Sequence, residues 1–171
     1  KERVKLAFLK KDADFIIDTS KLLTRELRQE LEKIFLKHQE YCNMFVTVLS
    51  FGFKYGIPED ADLVFDVRFL PNPYYSEDLR LLTGEDQSVR DYVMQGGTCA
   101  QFLDKLYDMM DFLLPNYINE GKNQLVVAVG CTGGKHRSVT VARALCAHLT
   151  ARAEYGIKIE HRDIDKDNKR K

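Results

Sequence analysis

Residues 125–139, LVVAVGCTGGKHRSV, combine the pattern of a buried strand with the beginning of a helix. Residues 125–129 are apolar and rich in valine, which is typical of a strand that is buried on both faces of a parallel sheet. Beyond the glycines, apolar residues recur every three or four positions from 139 to 149, which is the spacing of one helix face. The stretch therefore predicts a strand, a short loop and a helix, the unit from which parallel sheets are built.

The loop of this unit, residues 130–138 and called the cradle loop below, has the composition of a phosphate-binding site. A helix N-terminus leaves amide groups without partners and carries a partial positive charge, so it attracts an anion. The two adjacent glycines allow positive φ and let the backbone approach the anion, cationic side chains follow, and the serine can cap the helix or bond the ligand. The predicted phosphate-binding residues are Thr132, Gly133, Gly134, Lys135, His136, Arg137 and Ser138. The spacing is not that of a Walker A loop.

The same residues fit a second interpretation, a cysteine-dependent phosphatase. Cys131 and Arg137 are separated by five residues and followed by serine, the spacing at which a thiolate attacks phosphorus while arginine clamps the equatorial oxygens. The acid that protonates the leaving group would be Asp66 or Asp163. Gly130 stands where that motif has histidine, so binding without catalysis is the favoured interpretation, and Cys131 is catalytic only under the alternative.

Length and composition limit the class of protein. The chain has 171 residues, 44% of them hydrophobic, with 26 cationic and 26 acidic side chains, which suits one globular domain or a domain plus a fragment. Zero net charge means that any nucleic-acid contact requires a local patch. The sequence contains neither an 18-residue apolar run nor a signal-peptide pattern, so we expect a cytoplasmic protein without a membrane span. Four cysteines without a Cys-x-x-Cys pair favour neither disulfides nor a metal site.

Patterns in the rest of the chain predict a three-layer α/β fold, with a mostly parallel sheet and helices on both faces. Strands are predicted near 44–51, 63–70, 125–130 and 157–161. Helices are predicted over 24–38, over 86–94 and from Thr98, which has capping-box spacing with Gln101, and a surface turn over 116–123. Ligands of such folds bind at the carboxyl ends of the strands. We therefore expect the loops at 54–56, 71–74 and 131–137 to converge on one pocket.

Two further groups of charged residues are candidates for binding. Asp66 and Arg68 lie two residues apart in an apolar run, so they either bond each other or point together into a site. Residues 166–171 carry four cations and one acid, and such an end can lie along a nucleic-acid backbone, although charged termini are commonly only solvated. The added candidates for phosphate or metabolite binding are Lys54, Arg68, Asn72 and Tyr74. Those for RNA are Arg162, Lys166, Lys169, Arg170 and Lys171.

Together, these stretches resemble the RapZ/YvcJ family of bacterial RNase adapter and nucleotide-binding proteins. The resemblance covers roughly residues 44–165 in the right order. It rests on SFGFKYGIP at 50–58, DADLVFDVRFLPNP at 60–73, LTG at 82–84, GCTGGKHRSV at 130–139 and HRD at 161–163.

The resemblance implies a division of the chain and a set of partners. Residues 1–40 would be the end of a P-loop nucleotide-binding domain, 41–165 the C-terminal α/β domain and 166–171 a basic tail. ATP or GTP binding and any hydrolysis would belong to the P-loop domain outside this chain, which itself would hold no cofactor. The C-terminal domain would sense an amino-sugar phosphate, bind small regulatory RNA and direct an RNase, with the cradle loop holding a sugar or RNA phosphate. Association with a second copy is left open.

Overall fold

The structure is a computed structural model that describes residues 17–20, 22–35, 44–152 and 155–166. The chain divides into two compact units, Lys1–Tyr41 and Cys42–Lys171. In the first unit, helix α1 spans Thr24–Phe35, and the Leu23 amide donates to the Glu26 carboxylate at 2.9 Å across its first turn. The last three residues of the predicted helix, 36–38, lie outside the described residues.

The second unit is built on four strands: β1 (Phe45–Gly52), β2 (Leu63–Asp66), β3 (Gln124–Cys131) and β4 (Gly156–His161). Their order is β2-β3-β1-β4, and every pairing is parallel. β1 and β3 are the inner strands and pair with Val48 opposite Val127, which is why both are apolar over most of their length. The predicted three-layer α/β fold on a mostly parallel sheet is confirmed.

Three helices follow in this unit: α2 (Gln87–Met94), α3 (Thr98–Glu120) and α4 (Arg137–Thr150). α4 packs on β1, β3 and β4, while α2 and α3 pack on α4 and on each other. The core contains buried residues from the inner strands and from all three helices, including Val48, Val127, Val93, Leu114 and Leu145. This core fixes the ends of β1 and β3, from which the candidate site is built.

The predicted strand at 63–70 is four residues too long. β2 ends at Asp66, because its carboxylate accepts the backbone N–H of Arg68 at 2.9 Å and the chain turns there. The Leu70 amide then donates to the Val67 carbonyl at 3.2 Å, within that turn. Arg68 is therefore not a strand residue, and its side chain bonds the Asp66 carboxylate, the first of the two arrangements considered for this pair.

Two predictions about α3 are wrong. Its N-cap is Gly97, at φ 77°, with no side-chain hydrogen bond, so Thr98 and Gln101 form no capping box. The predicted turn at 116–123 is helix as far as Glu120, although Pro115 removes one backbone donor. Leu114 is fully buried and Tyr117 packs on the core, so tertiary contacts hold the last turns of the helix past the proline.

Candidate binding site

A cavity of about 350 Å³ opens where the loops after β1, β2 and β3 meet. The predicted convergence of these three loops is therefore confirmed. The residues that line it are Lys54, Asn72, Tyr74, Tyr75, Cys131, Thr132, Gly133, Lys135, His136 and Arg137. None of these residues is acidic, so within the described part of the chain the lining carries a net positive charge.

The cradle loop is supported from below by the end of β1. A Cβ at Gly52 would lie 2.6 Å from the Gly133 carbonyl carbon, so the two backbones are in direct contact. Gly134 has φ 76°, and a Cβ there would lie 2.6 Å from the Gly52 nitrogen and 2.9 Å from the Asp163 Cβ. Of the two glycines predicted to approach an anion, only Gly133 lines the cavity, whereas Gly134 packs on β1. Gly134 is needed for close packing of the loop.

Arg137 begins α4 and is 95% buried, since its relative exposure is 5%. Its Nη1 donates to the Arg68 carbonyl at 2.6 Å and to the Leu70 carbonyl at 3.3 Å. Its Nη2 donates to the Thr132 hydroxyl at 3.3 Å. The Nε is buried and has no hydrogen-bond partner among the described residues. The turn after β2 thus fixes the guanidinium of a residue that lines the cavity.

Lys135 connects the cradle loop to the segment between the 3₁₀ helix Pro73–Tyr75 and α2. Its side chain is buried, and the Nζ donates to the Leu81 carbonyl at 2.8 Å. Its own carbonyl accepts the Gly84 amide at 2.9 Å. Lys135 thus brings a cationic side chain to the cavity lining and links it to the segment that precedes α2.

His136 is the N-cap of α4 and is buried beside two cations. Burial, together with the charges of Lys135 and Arg137, lowers the pKa of its imidazole, although backbone groups of Arg80 and Leu82 act in the opposite direction. Its Nε2 is buried without a hydrogen-bond partner in the described part of the protein. Near neutral pH His136 is therefore an uncharged polar group in the lining.

Ser138 and Cys131 contact each other beneath the loop. The Ser138 Oγ lies 3.2 Å from the Cys131 Sγ, which also accepts the Gly134 amide at 3.3 Å. Ser138 is fully buried, lies within α4 and is not among the residues that line the cavity, so it neither caps the helix nor faces a ligand. The predicted capping by Ser138 was wrong because the helix begins one residue earlier, at Arg137, whereas its predicted bond to a ligand stays a prediction.

The other wall comes from the loops after β1 and β2. Lys54 lies in the 3₁₀ helix Phe53–Tyr55, and its amide donates to the Thr132 carbonyl at 3.3 Å. The Asn72 Oδ1 accepts the Tyr74 amide at 3.3 Å and so caps the 3₁₀ helix Pro73–Tyr75. Asn72 and both tyrosines of that helix line the cavity. Lys54, Asn72 and Tyr74 thus lie at the cavity formed by the three loops, as the sequence predicted.

Arg68, Asp66 and Asp163 do not line the cavity. The Arg68 guanidinium bonds Asp66 at 2.6 Å and lies 4.3 Å from the centre of the Phe53 ring. Arg68 supports the site only through its backbone carbonyl, which accepts a hydrogen bond from Arg137. Asp163 is buried and accepts the Gly52 amide at 2.8 Å. Neither aspartate is in place to protonate a leaving group in this cavity.

The RNA candidates divide into two groups. Arg162 and Lys166 bond the Asp163 carboxylate at 2.7 and 2.6 Å, and Lys166 also lies 4.8 Å from the centre of the Tyr55 ring. Lys169, Arg170 and Lys171 lie outside the described residues. Burial would raise the pKa of Asp163, but Arg162, Lys166 and the Gly52 amide outweigh burial, so the pKa lies below its ordinary value.

Two residues were not among the predicted phosphate or metabolite candidates: Tyr75, which the sequence suggested only as an aromatic contact for RNA and which lines the cavity, and Arg80, whose Nε donates to the Tyr74 carbonyl at 3.0 Å. Tyr75 directly follows a predicted site residue at a strand end, so it could have been found. Arg80 could not, because no local pattern reveals its partner.

Two features are absent from the described residues, a metal-binding cluster and a membrane-spanning helix. No group of three or more His, Cys, Asp or Glu side chains is arranged to hold a metal ion. None of the described helices combines the length and apolar character needed to cross a membrane.

Comparison with known proteins identifies relatives of the whole chain. A model of the RapZ C-terminal domain matches residues 44–165. A nucleotide-binding protein of Agathobacter rectalis is 64% identical over 166 residues, covering 97% of this chain and 57% of its own length. Nucleotide-binding proteins of Lachnoclostridium phytofermentans and Acetivibrio thermocellus are 60% and 54% identical, over 96% and 98% of this chain and 58% and 57% of their own lengths. The chain thus spans somewhat more than half the length of these relatives, and it belongs to the RapZ family, with residues 44–165 matching that family's C-terminal domain.

Proposed function

We propose that the cavity binds a phosphorylated small molecule and that the protein is a regulatory protein that senses it. The observation that carries the proposal is Arg137, a 95% buried cation that lines the cavity. Among the described residues its Nε has no hydrogen-bond partner, and none of those lining the cavity is acidic. A buried charge without an anionic partner is costly, and a phosphate would supply both the charge and the missing acceptor. Lys54 and Lys135 would then add to the attraction.

Calorimetric titration with inorganic phosphate, hexose 6-phosphates and nucleotides tests this proposal. We expect binding by the unaltered chain and a loss of about 10- to 100-fold in Arg137→Lys, because one charge-assisted hydrogen bond contributes about 1.5–3 kcal/mol. Arg152→Lys is the matched control, since Arg152 pairs with Asp111 and does not line the cavity. Lys135→Gln gives a second test if Arg137→Lys unfolds. No binding of any phosphate, or equal affinity in Arg137→Lys and the control, would contradict the proposal.

The finer proposal follows the family. We propose an amino-sugar phosphate as the sensed ligand, small regulatory RNA and an RNase as partners, and ATP or GTP binding by the P-loop domain of the full-length protein. The nucleotide-binding names of the relatives support the last part. The RNA part rests on the basic residues at the C-terminal end, of which Lys166 is shared with Asp163.

A cysteine-dependent phosphatase is the second candidate. The placement of Cys131 favours it, because Cys131 lines the cavity, and its sulfur accepts the Gly134 amide at 3.3 Å and lies 3.2 Å from the Ser138 Oγ. The engagement of Asp66 and Asp163 elsewhere counts against it, since the lining offers no carboxylic acid to the leaving group.

Cys131→Ser separates the two functions. If the thiolate is the nucleophile, phosphate release from an aryl phosphate ceases in the variant while binding persists. If the loop only binds, the unaltered chain releases no phosphate, and the variant binds hexose 6-phosphate within about threefold of it, because serine keeps the side-chain size and a polar contact with Ser138.

A further inference from the structure

Tyr74 and Tyr75 form the exposed part of the cavity lining and are called the aromatic wall below. Tyr74 is 55% and Tyr75 79% exposed, whereas Lys135, His136 and Arg137, which also line the cavity, are buried. The two rings meet edge to face, with their centres 6.1 Å apart. The cavity thus has a charged floor and an aromatic rim, which is the arrangement expected for a ligand with a phosphate at one end and an apolar surface at the other.

Arg80 holds this wall from outside the cavity. Its Nε donates to the Tyr74 carbonyl at 3.0 Å, and its guanidinium lies 5.1 Å from the centre of the Tyr74 ring. One residue therefore contacts both the backbone and the ring of Tyr74. Since the guanidinium covers one face of the ring, a ligand can stack only on the other face.

The segment that carries Arg80 is fixed to the cradle loop. The Arg80 amide donates to the Ser76 carbonyl at 2.9 Å. The next residue, Leu81, accepts the Lys135 ammonium at 2.8 Å, and Gly84 donates to the Lys135 carbonyl at 2.9 Å. Arg80 therefore connects the aromatic rim to the charged floor through a short, hydrogen-bonded path.

We propose that Arg80 is a positioning residue that sets the Tyr74 ring for stacking on the ring of the phosphorylated ligand, so that the site selects cyclic over acyclic phosphates. The inference rests on the proposed function and adds to it a residue that acts on the ligand only through Tyr74. Arg80 is itself exposed and does not line the cavity, so its substitution leaves the phosphate floor intact. Its effect should appear in selectivity between ligands.

Calorimetric titration of the full chain with three probes tests the inference: inorganic phosphate, acyclic glycerol 3-phosphate and cyclic glucose 6-phosphate. We expect the unaltered chain to prefer the cyclic probe, and Arg80→Ala and Tyr74→Ala each to reduce that preference about two- to fivefold, the factor expected for an exposed cation–π contact. The double variant should lose no more than Tyr74→Ala alone. Inorganic phosphate should bind equally to the unaltered chain and to Arg80→Ala, because Arg80 does not line the cavity.

Two further variants separate positioning from charge. Arg80→Lys keeps the positive charge but not the guanidinium fork, so it should restore only part of the cyclic preference. Arg152→Ala removes an arginine elsewhere on the surface and should change nothing.

The outcomes are distinct. An Arg80→Ala variant that weakens all three probes by one factor would show that Arg80 supplies only charge, and an unaltered preference would show that it does not position Tyr74. Either result overturns the inference and leaves the proposed function standing. A chain that binds none of the probes, inorganic phosphate included, overturns both.

Discussion

Gly52→Ala is the substitution that most directly tests whether β1 sets the position of the cradle loop. The added Cβ would lie 2.6 Å from the Gly133 carbonyl carbon, 2.8 Å from its oxygen and 2.9 Å from the Gly134 nitrogen. Ordinary contact begins at 3.4 Å, so the nearest atom pair must separate by 0.8 Å (3.4 minus 2.6). Both partners are backbone atoms of the sheet and the loop, so no side chain can rotate away. The cradle loop itself must move.

The expected result is a folded protein with a displaced site. Such overpacking costs about 1–3 kcal/mol of unfolding free energy, which urea denaturation measures. Phosphate affinity should fall by about tenfold or more, because a displacement of this size weakens a charge-assisted hydrogen bond that contributes about 1.5–3 kcal/mol. Calorimetric titration with inorganic phosphate measures this loss.

Gly96→Ala is the matched control. Gly96 lies between α2 and α3, has φ 75° and has open space where a Cβ would stand. Alanine there costs about 1–2 kcal/mol through its left-handed backbone, a loss similar to that expected for Gly52→Ala. It should leave phosphate affinity unchanged. If Gly52→Ala instead binds phosphate as tightly as the unaltered chain, the contact between β1 and the cradle loop does not determine the site.

Three further predictions concern pH, RNA and the amino group. Burial is the main cause of the low pKa of His136 and His161, while unfolded histidine has a pKa of about 6.5, so the unfolded chain binds more protons and stability should decline as pH falls below about 6.5. Urea unfolding between pH 8 and 5 should show this decline, and His161→Gln should flatten it. Deleting residues 166–171 should reduce the slope of log K against log salt concentration for RNA binding by about 2 in filter assays. Lys166 is shared with Asp163, so the deletion removes three cations that are available to phosphates. An unaltered slope would show that the tail is only solvated. Glucosamine 6-phosphate and glucose 6-phosphate should bind within about threefold of each other, because none of the described lining residues is acidic, so the ammonium gains no ionic partner and an amino-sugar phosphate binds chiefly through its phosphate; a tenfold preference in calorimetry would contradict this reasoning.

The strand ends and the cradle loop could be predicted because their signals are local. An apolar run followed by glycines and then cations marks the end of β3, whatever the rest of the chain does. Since parallel strands place their carboxyl ends on one edge, the meeting of Lys54, Asn72 and Thr132 at one cavity follows from the fold class alone.

Side-chain partners could not be predicted in the same way. Arg137 bonds the carbonyls of Arg68 and Leu70, which are separated from it by 69 and 67 residues, and a backbone carbonyl leaves no trace in the sequence. Arg68 looked like a site residue because it was cationic and close to a strand end. Its position in a turn, bonded to Asp66, depends on where β2 stops, which is the least certain feature of any sequence pattern.

Asp163 shows how a residue suggested for chemistry can instead serve architecture. A carboxylate just after β4, beside the loop proposed to bind an anion, would repel such a ligand. Asp163, however, is buried and surrounded by donors: the Gly52 amide, the Arg162 guanidinium and the Lys166 ammonium. Its Cβ also lies where a side chain at Gly134 would have to stand. Asp163 therefore joins the ends of β1 and β4 and contacts the cradle loop without presenting its charge to the cavity. The positive potential of the lining depends on this neutralisation, because an unpaired carboxylate at this depth would offset one of the cations proposed to attract a phosphate.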